Sequence, residues 1–239
     1  SKRTEVTTVI GSYIVNTLIL ATFSIFITWT VAIPIGIYCA VNQYKWGDRV
    51  FSFIAYIGMS FPNFFLALLL LYVVSVTGIL PIGGMKSVNF DSLGFFGKAG
   101  DILLHLIVPG VVLGTAAIAS LQRIMRGNML ETLRAQYVTT ARAKGLPENK
   151  VVYVHALRNA INPLITMFGY EFSALLSGAA LTEIVTSWPG LGSVMLEAVR
   201  AQDLFLVMGN MMMGGAMLIV GNLLADVLLA WADPRIKLS

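Results

Sequence analysis

Five stretches of this sequence, at about 13–42, 51–76, 101–122, 160–181 and 205–230, are apolar over twenty or more residues. A bilayer's hydrocarbon core is about 30 Å thick, and a helix rising about 1.5 Å per residue crosses it in roughly 20 residues. Inside lipid every backbone N–H and C=O must be paired within the chain, which for runs of this length means α-helix. The sequence therefore specifies an all-α, polytopic helical bundle. Composition agrees: 57% of residues are hydrophobic and only 12% charged, against about 25% charged in soluble domains. With 239 residues, residues 1–239 form a single transmembrane domain, with no room left for a separate soluble one.

The basic residues set the orientation. Eleven of the Lys and Arg residues fall on loops 43–50 and 123–159 and on the tail after 230; the other five are Lys2, Arg3, Lys86, Lys98 and Arg200. The richer side is cytoplasmic by the positive-inside rule. That puts the N-terminus outside, and an earlier span is expected ahead of it. The net charge of +4 is spread over span ends rather than gathered in a patch, which argues against nucleic-acid binding. Cys39 is alone, so neither an internal disulfide nor a thiolate metal cluster is available.

Prolines at 34, 62, 109 and 163 fall inside apolar runs, as membrane helices tolerate when neighbours re-satisfy the backbone. Outside, Leu80-Pro81-Ile82-Gly83-Gly84 and Trp188-Pro189-Gly190-Leu191-Gly192 have turn composition. Small residues four apart, Gly110 with Gly114 and Ser173 with Ser177, would let helix backbones approach closely.

The most distinctive segment is cytoplasmic, from Tyr137 to Ala160. Residues 139–144 favour helix, with Tyr137, Val138 and Ala141 on one face. Gly145 ends that helix, since glycine readily takes the left-handed conformation just past a C-terminus. Pro147 and Glu148 suit the first turn of a second helix, along which Val151, Val154 and Leu157 continue an apolar stripe at α-helical spacing. Read from composition alone, this helix–turn–helix could also lie on the membrane surface.

Thr139-Thr140-Ala141-Arg142-Ala143-Lys144-Gly145-Leu146, followed by His155-Ala156-Leu157-Arg158-Asn159-Ala160, resembles the cytoplasmic loop of permease subunits of binding-protein-dependent ABC importers, in their dipeptide/oligopeptide/nickel branch. The wider family's loop opens Glu-Ala-Ala, then three residues, then Gly. Here Thr139 and Thr140 replace the first two positions, while Ala141 and Gly145 fit. Ser60-Phe61-Pro62-Asn63-Phe64-Phe65, Leu80-Pro81, Ser187-Trp188-Pro189-Gly190-Leu191-Gly192 and Asp233-Pro234-Arg235-Ile236 resemble the same branch in the same order.

The resemblance covers the chain from about residue 10, without the family's first span and the external region after it. It implies a type I importer permease with five core spans, in the cytoplasmic membrane of a bacterium or archaeon. Thr140, Ala141, Arg142, Ala143, Lys144, Gly145 and Leu146 would then dock on an ATPase. Small residues would allow close approach, Leu146 would anchor, and Arg142 and Lys144 would meet acidic groups. It further implies two cytoplasmic ATPase subunits, a second permease (in this branch usually a paralogue) and an external solute-binding protein.

No phosphate-binding loop occurs. Gly97-Lys98-Ala99 echoes the end of one, but Ser92 replaces the leading glycine and Ala99 the magnesium-binding hydroxyl. ATP and Mg are therefore expected on partner chains, with no cofactor on this one. Nor does a nucleophile–base–orienter set appear, so the chain is not expected to be an enzyme. Among ionisable residues within spans, Glu171 reads either as a pathway-lining carboxylate or as a structurally paired one. Asp226 reads as paired with Arg235 or a loop cation. His105 and His155 are too far apart in topology to share a metal. An ion-coupled secondary transporter or channel using Glu171 is the alternative, and it would need no ATPase.

Overall fold

The computed structural model describes residues 6–168, 171 and 180–232. Among these all regular structure is helical: α1 (Val6–Val41), α2 (Trp46–Ser60), α3 (Asn63–Thr77), a 3-10 turn (Phe90–Ser92), α4 (Phe95–Leu133), α5 (Gln136–Ala143) and α6 (Glu148–Lys150) come first. A π-helical stretch (Val151–Ala156) leads into α7 (Leu157–Ala160), followed by α8 (162–168), α9 (Ala180–Val185), α10 (Leu191–Arg200) and α11 (Leu204–Ala232). Three helical stretches, Thr8–Val41, Phe95–Leu133 and Leu204–Leu224, are long and apolar enough to cross a membrane alone; α2 and α3 together would make a fourth.

Pro34 and Pro109 sit inside continuous helices, whereas the run expected at 51–76 is two helices separated at Phe61 and Pro62. Proline disfavours α conformation in the residue before it, and Pro62 itself is extended (φ −59°, ψ 140°). The run at 160–181 contains α8, Glu171 and the start of α9; 169–170 and 172–179 lie outside the described residues. The 39 residues of α4 would extend about 58 Å, twice the hydrocarbon core. The stretch 123–133, expected as loop, is thus the rigid continuation of a span.

Packing divides the chain into two units. One contains Ser1–Ile27, Phe61–Gly114 and Phe172–Ile219; the other contains Thr28–Ser60, Thr115–Glu171 and Val220–Ser239. In the first, Leu20, Leu106, Leu113 and Trp188 form the core, with Ile19, Phe23 and Ile102 against it. In the second, α1 contributes Ala32, Ile37 and Ala40, and α4 contributes Leu121, Met125 and Met129. The same core takes in Val138, Ala141, Val151, Val152, Ala156 and Ala160 from the segment 137–160. Burying each of these valines contributes roughly 1.5–3 kcal/mol and each alanine methyl roughly 0.8 kcal/mol, so that segment is part of the core and not an appendage.

Candidate functional site: the segment 137–160 and its supports

Helix α5 is only eight residues long, too short to hold itself in water. It persists because Val138 and Ala141 are buried and because its end is closed by a full C-terminal motif. The Gly145 N–H donates to Arg142 O at 2.9 Å and the Leu146 N–H to Ala141 O at 3.4 Å, the two bonds of a Schellman turn. Gly145 has φ +77°, a region that costs an L-residue roughly 1–2 kcal/mol. No atom lies within 4 Å of where its Cβ would stand, so conformation and not space selects glycine.

The helix–turn–helix expected from sequence is present, with two differences. The buried stripe after the turn is Val151, Val152, Ala156 and Ala160, while Val154 is exposed. Residues 151–156 are π-helical, with Leu157 N–H bonded to Val152 O. A turn closed by i→i+5 bonds is wider than an α-turn, and this shifts the inward positions. Tyr137 is likewise exposed, its hydroxyl accepting from Asn159 Nδ2 at 2.7 Å.

The docking residues read from the resemblance divide in the same way. Thr140, Arg142, Ala143, Lys144 and Gly145 are exposed, Ala141 is buried and Leu146 is half-buried against the core. Leu146 therefore anchors the turn to its own protein. Arg142 is engaged internally as well, donating to both Glu148 oxygens at 2.7–3.2 Å and to Leu133 O at 3.3 Å. It ties the end of α4 to the start of α6. Hydrogen bonding to Arg142 holds the Glu148 carboxyl below the usual carboxylate range and raises the guanidinium correspondingly.

Two polar arrangements went unread in the sequence. In the second unit, Arg126 Nε and Nη2 donate to Asp48 Oδ1 and Oδ2, both at 2.8 Å. Asp48 is 3% exposed and also accepts from the Tyr44 N–H at 2.9 Å. In the first unit, Glu183 is fully buried, accepting from Thr17 Oγ1 at 3.0 Å and the Gly192 N–H at 2.7 Å. Thr17 in turn accepts from the Leu191 N–H, while Asn16 and Trp188 exchange side-chain bonds with the Pro189 and Asn16 carbonyls. The Trp-Pro-Gly-Leu-Gly turn is thus fastened to α1 around a buried carboxylate. The intramembrane-carboxylate criterion that singled out Glu171 would have reached Glu183, two residues past the assigned span.

Glu171 Oε2 accepts from Trp29 Nε1 at 2.9 Å, and Trp29 meets Phe168 edge-on at 5.6 Å. Asp226 is exposed; Arg235, its expected partner, lies outside the described residues. The His105 ring pairs locally, its Nδ1 2.8 Å from Asp101 O.

Known proteins resemble this chain in both sequence and fold. The profile of the family described as binding-protein-dependent transport system inner membrane component matches residues 32–238. The oligopeptide transport system permease protein AppB of Bacillus subtilis (strain 168) is 38% identical over 99% of this chain and 73% of its own length. The dipeptide transport system permease protein DppB of Escherichia coli (strain K12) is 36% identical over 92% of this chain and 70% of its own. Among solved structures, the inward-facing MetNI methionine ABC transporter superposes with TM-score 0.73 at 15% identity, over 94% of this chain and 96% of that one. An amino acid ABC transporter gives 0.62 at 16% identity, over 96% and 95%. At such identities the structures establish the fold alone.

Proposed function

We propose that this chain, which belongs to the family of binding-protein-dependent transport system inner membrane components, forms the translocation pathway of an ATP-driven importer for di- or oligopeptides. A nickel complex or related small solute is the other cargo of the branch it resembles. The names of its relatives, oligopeptide and dipeptide permease proteins, support the peptide reading. ATP hydrolysis takes place on two cytoplasmic partner subunits, a paralogous permease completes the membrane part, and an external binding protein delivers cargo. The loop 137–158 and the tail face the cytoplasm.

One observation carries the mechanism: α5 presents Thr140 and Ala143 outward, with Lys144 capping its end, while Val138 and Ala141 hold it in the core shared with α1 and α4. A short helix bearing small exposed residues suits a cleft on a partner. Because its other face is close-packed, and packed interiors transmit displacement, a push on α5 moves the cytoplasmic ends of α1 and α4. Alternating access follows when the ATPase pair closes and opens. Glu171 is assigned the part of a pathway carboxylate, oriented by Trp29.

The test is uptake of a radiolabelled dipeptide into proteoliposomes holding the complete transporter and its binding protein. Uptake that requires ATP and survives collapse of the proton gradient supports the reading. Uptake that follows an imposed proton gradient and ignores ATP overturns it in favour of an ion-coupled carrier.

A further inference from the structure

The Asp48–Arg126 pair has no task in the account above. Asp48 lies in the first turn of α2, and the turn before it is bound to the same carboxylate through the Tyr44 N–H. Ser52 Oγ, one turn further along α2, approaches Asp48 Oδ1 at 3.4 Å. The start of α2 is therefore gathered on one buried group, and Arg126 grips that group with two parallel bonds. Such a fork fixes direction as well as distance. Buried ion pairs seldom add stability over well-packed apolar residues of similar volume; their best-attested service is to fix register.

The position of Arg126 tells what is being registered. It precedes the end of α4 at Leu133 by seven residues, about 10.5 Å of helix. Its neighbours Met125 and Met129 lie in the core that also holds Val138, Val151 and Ala156 of the cytoplasmic segment. Helix α1 meets this stretch with no slack: a Cβ on Gly36 would stand 2.7 Å from Met125 Cβ and 2.9 Å from Gln122 O. Between α2 and α4, by contrast, a cavity of about 50 Å³ opens among Ser52, Tyr56, Met59, Gln122, Arg123 and Arg126. Interlocked packing can carry movement from α4 into α1. Beside the cavity, the ion pair links α4 to the start of α2, while the close approach of Gly58 to Thr115 Cγ2 lies further along.

We propose that Asp48 and Arg126 are positioning residues, a strut through which displacement of the cytoplasmic segment reaches α2. This rests on the coupling role given to α5 above. The test uses the complete transporter in nanodiscs, in a Cys39→Ala background, reading the maleimide labelling rate of Phe53→Cys on α2 and of Lys144→Cys at the cap of α5. Phe53 and Lys144 are both exposed. ATP with vanadate is expected to change the Phe53→Cys rate several-fold, and the apolar double variant Asp48→Leu/Arg126→Met to reduce that response about fivefold or more. Protection of Lys144→Cys by the ATPase stays as it was.

A double variant that keeps the full α2 response overturns the strut. So does a wild-type Phe53→Cys rate indifferent to ATP while Lys144→Cys is protected. Should Lys144→Cys be unprotected in the wild type, the coupling role of α5 falls first and the strut with it. Arg126→Lys, which keeps the charge but not the fork, is expected to give an intermediate response. If the double variant fails to assemble, a full wild-type response in Arg126→Lys counts against the proposal.

Discussion

The backbone of Gly190 lies directly against the buried carboxylate of Glu183, so that a Cβ at 190 would overlap both carboxylate oxygens. Gly192 is confined in the same way, by Glu183 Oε2 and by the backbone of Ala180. Neither glycine has positive φ; both are there for close approach. Gly190→Ala or Gly192→Ala should therefore destabilise the protein by about 1–3 kcal/mol, the usual cost of overpacking. Gly94→Ala, with open space around it, should leave thermal unfolding in detergent unchanged. Equal melting curves for all three would show that the turn yields freely.

Gly145 tests conformation without crowding. Gly145→Val forces a β-branched residue to φ +77°, a strain of roughly 1–3 kcal/mol at the end of an eight-residue helix. Membrane insertion should be normal, and dipeptide uptake per ATP hydrolysed should fall about tenfold. Uptake at the wild-type ratio would remove the turn from the coupling path.

The Arg142–Glu148 clamp carries a pH dependence whose sign can be stated. Glu148 is held below its ordinary range by Arg142. Its contribution is therefore complete above the unfolded pKa, near 4.3, and is lost as pH falls through the lower folded value. Both side chains are substantially exposed, so solvent screening limits the pair to about 0–1 kcal/mol. Amide protection over 136–150, taken relative to the intrinsic exchange rate at each pH, should be unchanged between pH 7 and 5 and fall only below about pH 4. Glu148→Gln should be faster than wild type at pH 7 and lose that acid dependence.

Trp29 and Glu171 separate charge from acceptor. Glu171→Gln keeps a carbonyl oxygen for Trp29 Nε1, so assembly should be retained. Uptake of a lysine-containing dipeptide should fall about fivefold, the loss of a charge contact being worth roughly 1 kcal/mol or more, while a neutral dipeptide is unaffected. Equal loss for both cargoes would assign Glu171 to structure alone.

Much of the fold was readable because its signals are local. Three of the five apolar runs lie in helices long and apolar enough to span among the described residues, and the bias of Lys and Arg gave an expected orientation. Gly145 followed by Pro147 gave a helix end and a helix start where the structure has them. Reading failed where a local signal was ambiguous. Pro34 and Pro109 are absorbed into α1 and α4, whereas Pro62 divides α2 from α3, and proline content does not distinguish these outcomes. The α-helical stripe drawn through Val151, Val154 and Leu157 was displaced by a π-helical turn, which has no signature in residue spacing. Arg142, expected from the resemblance to meet acidic groups on a partner, is bonded to Glu148, six residues on.

By itself the sequence determined the class: helices in lipid, a structured basic segment between spans, and enough ordered motifs to place the chain in its family. These follow from hydropathy and turn chemistry, which act within a few residues. Only the tertiary structure decided which polar groups meet. Asp48 finds Arg126 78 positions away, Trp29 finds Glu171 across 142, and Thr17 finds Glu183 across 166. Each pairing is imposed by helix packing, because a buried donor or acceptor must find a partner wherever the packed helices bring one within reach.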